Sequence, residues 1–156
     1  MTVSDRGANQ LVDTMNGAIA TTIPIAHKMG LKVVEARPGF AATTVPAEGN
    51  GNHFGVIYAG VLFTVAEILG GIIPLITFDT TKYFPLVKNL DIQFVSMAKS
   101  DVRAQASLDD ETIARIEAEA AQRGKADFTL EAVVTDADGK TVATTRGLYQ
   151  LRALGG

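Results

Sequence analysis

Between Val56 and Phe78 the chain runs for 23 residues with a single charged side chain, Glu67, at the midpoint. A stretch that long and that apolar is stable in one of two places, the hydrocarbon of a bilayer or the middle of a protein that surrounds it. Glu67 weighs against the bilayer, where an ionised group at mid-depth costs about 3 kcal/mol on insertion scales. Gly70, Gly71 and Pro74 weaken the second half as a lone spanning helix, and neither flank carries a lysine or arginine cluster. The segment therefore predicts a buried central helix, Tyr58 to about Ile76, with Leu62, Val65, Leu69, Ile72 and Ile73 nearly inaccessible.

The rest of the chain has to supply the cover. With 156 residues and 47% hydrophobic content it makes one domain, residues 1–156, with a sizeable core. Residues 1–30 read as a helical segment: a modest helix from Ser4 to about Met15, then a short one opened by Pro24 and ended by Gly30. Leu31 to Arg37 and Phe40 to Val45 flank Pro38-Gly39 as a hairpin. Beyond the apolar run the period becomes two. Leu90, Ile92 and Phe94 alternate with polar residues, as do Val102, Ala104 and Ala106. About residues 109–123 form an inserted amphipathic helix with an acidic start and a closing Arg123-Gly124. Two last strands, about Phe128 to Thr135 and Thr141 to Leu151, meet at an Asp138-Gly139 turn. The predicted fold class is α+β, an antiparallel sheet of about six strands wrapped around the long central helix.

Several chemistries are excluded by residue type. The chain has no cysteine, so thiolate metal sites, Fe–S clusters, disulfides and cysteine nucleophiles are absent. Its 17 acidic and 14 basic residues are scattered, for a net charge of -3, which leaves no basic stripe for nucleic acid. No dinucleotide loop, nucleophile elbow or zinc-binding helix motif occurs. His27 and His53 lie 26 residues apart without carboxylates at ligand spacing, and read as surface or hydrogen-bonded histidines. The start, Met1 to Arg6, lacks the pattern of a secretory signal, so the expected compartment is the cytoplasm. No metal, no cofactor and no membrane partner is expected.

The informative stretch is Asn52-His53-Phe54-Gly55-Val56-Ile57-Tyr58-Ala59-Gly60, followed by Val65-Ala66-Glu67. A loop of small and amide residues enters a helix whose first turn holds Gly60, so unpaired N–H groups and the positive helix end meet there. Such a place can hold a carbonyl or an oxyanion. Glu67, two turns on, sits among apolar residues. Its carboxylate must be hydrogen-bonded, protonated or facing a cavity, and desolvation should raise its pKa. That suits a general base or nucleophile; the alternative is a glutamate bonded to backbone at a subunit contact.

The same stretch resembles hotdog-fold thioesterases of the PaaI type, marked by Asn-x-x-Gly-x-x-His-Gly-Gly followed by Leu-Ala-Asp or Leu-Ala-Glu. Asn52, Gly55 and Gly60 hold their places, and Val65-Ala66-Glu67 falls in the register of the acidic triplet. Leu90 to Val95, Lys99 to Ala104, Asp138 to Ala143 and Gly147 to Tyr149 are similar to the later strands, so the likeness covers about Gly30 to Leu151. Tyr58-Ala59 replaces His-Gly, and Gly71 stands where some members carry a serine or threonine. The resemblance implies hydrolysis of an acyl-CoA or related thioester. Catalytic roles fall to Glu67, Asn52 and Gly60, and substrate contacts to His53, Gly55, Tyr58 and Ala59. It further implies a homodimer or homotetramer in which the acid of one subunit faces the loop of another, coenzyme A lying on residues such as Lys88, Arg103, Arg146 or Arg152, and an apolar acyl pocket beside the helix. Two other readings stay open: a non-catalytic acyl or lipid binder, and a hotdog dehydratase acting on 3-hydroxyacyl thioesters. The dehydratase pattern sets its acid five residues after the glycine, against seven here, a turn of about 200° on a helix.

Overall fold

The computed structural model describes residues 2–155. Its elements in chain order are α1 (Val3–Thr22), α2 (Pro24–Lys28), β1 (Lys32–Arg37), β2 (Phe40–Val45), α3 (Ala59–Glu67), α4 (Leu69–Thr77), β3 (Tyr83–Phe94), β4 (Val102–Ser107), α5 (Asp110–Arg123), β5 (Lys125–Thr135) and β6 (Thr141–Ala153). The strands form one antiparallel sheet in the order β1-β2-β4-β5-β6-β3. It wraps around α3 and α4, and the architecture is the expected hotdog.

Alternation makes the sheet one-sided. Along β5 every second residue from Ala126 to Val134 is buried, and the residues between them face outward. Several elements exceed their predicted bounds. α1 runs on past Met15 to Thr22 because Ile19 extends the buried stripe one turn further. It starts earlier as well, with Thr2 and Asp5 exchanging capping hydrogen bonds. β3 begins at Tyr83 and β5 at Lys125, since pairing with β6 carries them through residues whose own alternation is poor.

The two sheet edges are treated differently. At β1 the Asn16 carboxamide on α1 accepts from the Val33 N–H at 2.8 Å and donates to its carbonyl at 3.0 Å, taking the place of a strand partner. At the other edge, β3 has no such cover. Val87, Leu90, Ile92 and Phe94 pair in register with buried residues of β6 and so share the inner face, yet Val87 and Phe94 are half exposed.

The central helix departs from expectation in two ways. Leu62, Val65, Leu69, Ile72 and Ile73 are all buried as predicted. The rod from Ala59 to Thr77 is long and apolar enough to cross a membrane, and in this fold it is the helix the sheet enfolds. It is not one uninterrupted helix, however, because the hydrogen-bond ladder breaks at Ile68 between α3 and α4. Nor does one chain surround it. Phe63, Glu67, Gly71 and Leu75 form a stripe that is only partly covered.

Candidate active site

The loop before α3 is built by two asparagines with separate tasks. Asn50 is buried, and its Nδ2 donates to the carbonyls of Met29 at 2.7 Å and Pro46 at 2.8 Å. Its own carbonyl accepts the Tyr58 N–H at 2.9 Å, which ties the helix start to the β1–β2 hairpin. Asn52 folds the loop on itself. Its Oδ1 accepts from Phe54 N–H at 2.9 Å and Val56 N–H at 3.3 Å, while its carbonyl accepts from Gly55 N–H at 3.0 Å. Gly55 closes this turn at φ +75°, a region that disfavours any side chain. The expectation that Asn52 handles water or substrate narrows accordingly: its oxygen is committed to the loop, and Nδ2 is the atom without a partner among the described residues.

At the start of α3, Tyr58 is the N-cap residue and supplies no side-chain cap. Its carbonyl accepts from Val61 and Leu62 at 2.9 and 3.2 Å. The N–H groups of Ala59 and Gly60 have no acceptor among the described residues. Two aligned donors at the positive end of an apolar helix suit an oxygen that gains negative charge. Beside them opens a cleft of about 380 Å³, walled by Phe54, Val56, Leu62, Phe94, Val95 and Met97, with Asn52 and Ala59 on its rim. The sequence reading missed the segment from Phe94 to Met97 as a wall, since its place opposite the loop comes from pairing between β3 and β6.

Glu67 closes α3 on the face that also carries Gly60. Seven residues separate them, about 10 Å along the axis, so one chain does not bring Glu67 to the two free donors. The carboxylate is half-buried and has no hydrogen-bond or ion-pair partner among the described residues. Burial raises its pKa above the ordinary glutamate value. The neighbouring polar group is Tyr149, whose hydroxyl donates to the Glu67 carbonyl at 3.2 Å. Burial, and secondarily the Glu67 charge, pushes the tyrosine's ionisation well above its usual range. Neither Asn50 nor Tyr149 was singled out from sequence. Asn50 is one of several loop amides, and the approach of Tyr149 to α4 exists only in three dimensions.

The remaining residues fall outside this constellation or at its border. His53 is exposed with its ring 4.1 Å from that of Phe54, and His27 is exposed on α2. No group of three or more metal-ligating side chains occurs among the described residues. Tyr58 is exposed and its ring lies against Gly60. Of the basic residues considered for coenzyme A, Lys88 pairs with Asp127 at 2.8 Å and Arg103 with Glu35 at 2.7 Å. Arg146 and Arg152 are exposed without an ion-pair partner among the described residues.

A sheet ordered 1-2-4-5-6-3 around one helix, with a loop that leaves free N–H groups at the helix start, places the chain among the hotdog-fold proteins. Residues 13–149 match the family described as a domain of unknown function, DUF4442, and the chain belongs to that family. Among solved structures it is similar to PA5026 of Pseudomonas aeruginosa, a protein of unknown function described as a probable thioesterase. The two are 40% identical, the match covers 90% of this chain and 95% of the other, and the TM-score is 0.85. Thioesterase HI1161 of Haemophilus influenzae has the same fold at 14% identity, with 93% and 92% covered and a TM-score of 0.75. Protein OLEI01261 of Chlorobaculum tepidum, of unknown function, superposes at a TM-score of 0.81 with 18% identity over 93% and 96%. No curated protein matches the chain.

Proposed function

We propose that the protein is a thioesterase that hydrolyses an acyl thioester such as acyl-CoA, at a site shared by two copies of the chain. The observation that carries this reading is the pair of N–H groups on Ala59 and Gly60 without acceptors among the described residues, at the edge of an apolar cleft that Ala59 lines, on the same helix as a glutamate without a partner among those residues. The similarity to a probable thioesterase at 40% identity supports it. The acyl chain lies along Leu62 and Phe94, and the thioester carbonyl oxygen sits at the Ala59 and Gly60 N–H groups. Asn52 Nδ2 donates to the thioester or to the attacking water, and His53, Gly55 and Tyr58 border the entrance. The partner subunit's Glu67 takes a proton from water. The water oxygen then bonds to the carbonyl carbon, the C–S bond breaks, and the thiolate leaves with the proton. Arg146 and Arg152, which have no ion-pair partner among the described residues, are the better candidates for coenzyme A phosphates.

The second copy has a place to dock. β3 is a 12-residue edge strand with free backbone groups and half-exposed Val87 and Phe94 on the face next to the open stripe of Phe63, Glu67 and Leu75. An uncovered edge beside a continuous apolar surface favours pairing with another chain. A homodimer built there, or a pair of such dimers, covers what one chain leaves bare.

The test is a panel of acyl-CoA and acyl-carrier-protein thioesters assayed for free-thiol release, with wild type and Glu67→Gln compared. Glu67→Gln keeps the shape and removes the base, so turnover falls by about two orders of magnitude or more. Equal turnover by the variant would refute the mechanism. Wild type that binds acyl-CoA without turnover would make the protein an acyl binder, a reading that Tyr58-Ala59 in place of His-Gly also fits. Release of water from a 3-hydroxyacyl thioester would make it a dehydratase.

A further inference from the structure

Tyr149, near the end of β6, is buried, with its ring stacked on Phe128 at 5.7 Å between centroids. It lies so close to α4 that a methyl group on Gly70 would stand 1.9 Å from its Cε1. In that apolar setting a phenylalanine would avoid the cost of burying a hydroxyl. The hydroxyl makes one hydrogen bond among the described residues, to the carbonyl of Glu67. In an unbroken helix that carbonyl would accept from Gly71. Instead the Gly71 N–H donates to the Ile68 carbonyl at 3.0 Å, and the ladder breaks there. The phenol thus replaces a main-chain hydrogen bond at the residue that carries the carboxylate.

We infer that Tyr149 is a positioning residue for the hydrolytic site: its hydroxyl holds the broken turn between α3 and α4 and so aims the Glu67 carboxylate out of the helix. The inference rests on the reading of Glu67 as the general base. The electrostatics agree with the geometry, since the Glu67 charge reaches the Tyr149 phenol. Besides Tyr149, the strands packed on α3 turn one titratable group inward, Tyr83, which stands beside Phe78 at the far end of α4. α4 itself has no titratable side chain.

Tyr149→Phe keeps the ring and deletes the hydroxyl. The unsatisfied Glu67 carbonyl then adds negative potential beside its own carboxylate, which raises the carboxyl pKa further. Two measurements read this. Carbon-13 NMR titration of labelled glutamate, with the Glu67 resonance assigned by its loss in Glu67→Gln, should show the Glu67 midpoint moved to higher pH in Tyr149→Phe. Thiol-release kinetics should show kcat reduced by about five-fold with KM unchanged and the acid limb of the pH profile moved the same way. A purely structural tyrosine would lower the folded fraction and move neither midpoint nor limb. An unmoved midpoint together with inactive Glu67→Gln overturns the role of Tyr149 and leaves that of Glu67 standing. Full turnover in Glu67→Gln overturns both.

Discussion

Gly70→Ala places one methyl group where the ring of Tyr149 now lies. The new Cβ would stand 1.9, 2.1 and 2.5 Å from Cε1, Cζ and Cδ1, whereas carbon atoms in contact rest about 3.5 to 4.0 Å apart. The ring must therefore withdraw by roughly 1.5 to 2 Å. Phe128 stacks on it, and Gly147 is packed so closely that it also has no room for a Cβ, so the retreat strains the core. Overpacking of this severity costs about 3 kcal/mol, and displacing the hydroxyl from Glu67 costs about 1 kcal/mol more. The better helix propensity of alanine returns about 1 kcal/mol. The net loss of about 3 kcal/mol lowers Tm by roughly 6 to 12 °C for a chain of this size. Gly71→Ala, one residue on, is the matched control within the chain: nothing among the described residues lies within 4 Å of its Cβ position, so within a single chain the propensity gain stands alone. Thermal and urea unfolding of both variants at one fixed protein concentration decides the matter, because assembly makes Tm concentration-dependent. A Gly70→Ala protein as stable as the Gly71→Ala protein would refute the close packing of Tyr149 on α4.

Three further outcomes are expected. Because burial raises the Glu67 pKa in the folded state, stability is fullest below the unfolded value near 4.5 and falls as pH rises through the raised one; urea midpoints from pH 4 to 7 should therefore decline in wild type relative to Glu67→Gln, and parallel curves would contradict the burial. Asn50→Ala strips a donor from two carbonyls around a buried site and should cost about 2 kcal/mol, with a matching fall in thiol release as the helix start loosens; an unchanged Tm would show that Asn50 does not hold the loop. Val87→Lys puts a charge on the exposed inner face of the β3 edge and should convert a dimer to monomers in sedimentation at micromolar concentration, whereas a wild type already monomeric there would end the shared-site proposal.

The strand and helix plan was legible wherever a local period was strong. The β1–β2 hairpin, β4, α5 with its Asp109 cap and Gly124 end, and the buried face of the central helix all follow from nearest-neighbour chemistry along the chain. Element ends were less legible, since β3 and β5 continue only because β6 lies alongside them. The site divided in the same way. Asn52, Gly55, Gly60 and Glu67 could be marked as polar, flexible or charged positions around an apolar helix, because that contrast is written in residue order.

What residue order determined was the presence of an apolar helix with one carboxylate, and the need for a sheet to cover it, because burial of apolar surface depends on pattern and not on partner identity. Which atoms are free depended on packing. The Asn52 oxygen turns back on Phe54 and Val56 of its own loop, and any helix start leaves N–H groups such as those of Ala59 and Gly60 without an intrahelical partner; that no other described element covers those two groups, and that a tyrosine 82 residues away takes the carbonyl of Glu67, were decided by tertiary contact. Hydrogen bonds are satisfied by whatever group the fold brings within about 3 Å, and sequence distance places no limit on which group that is.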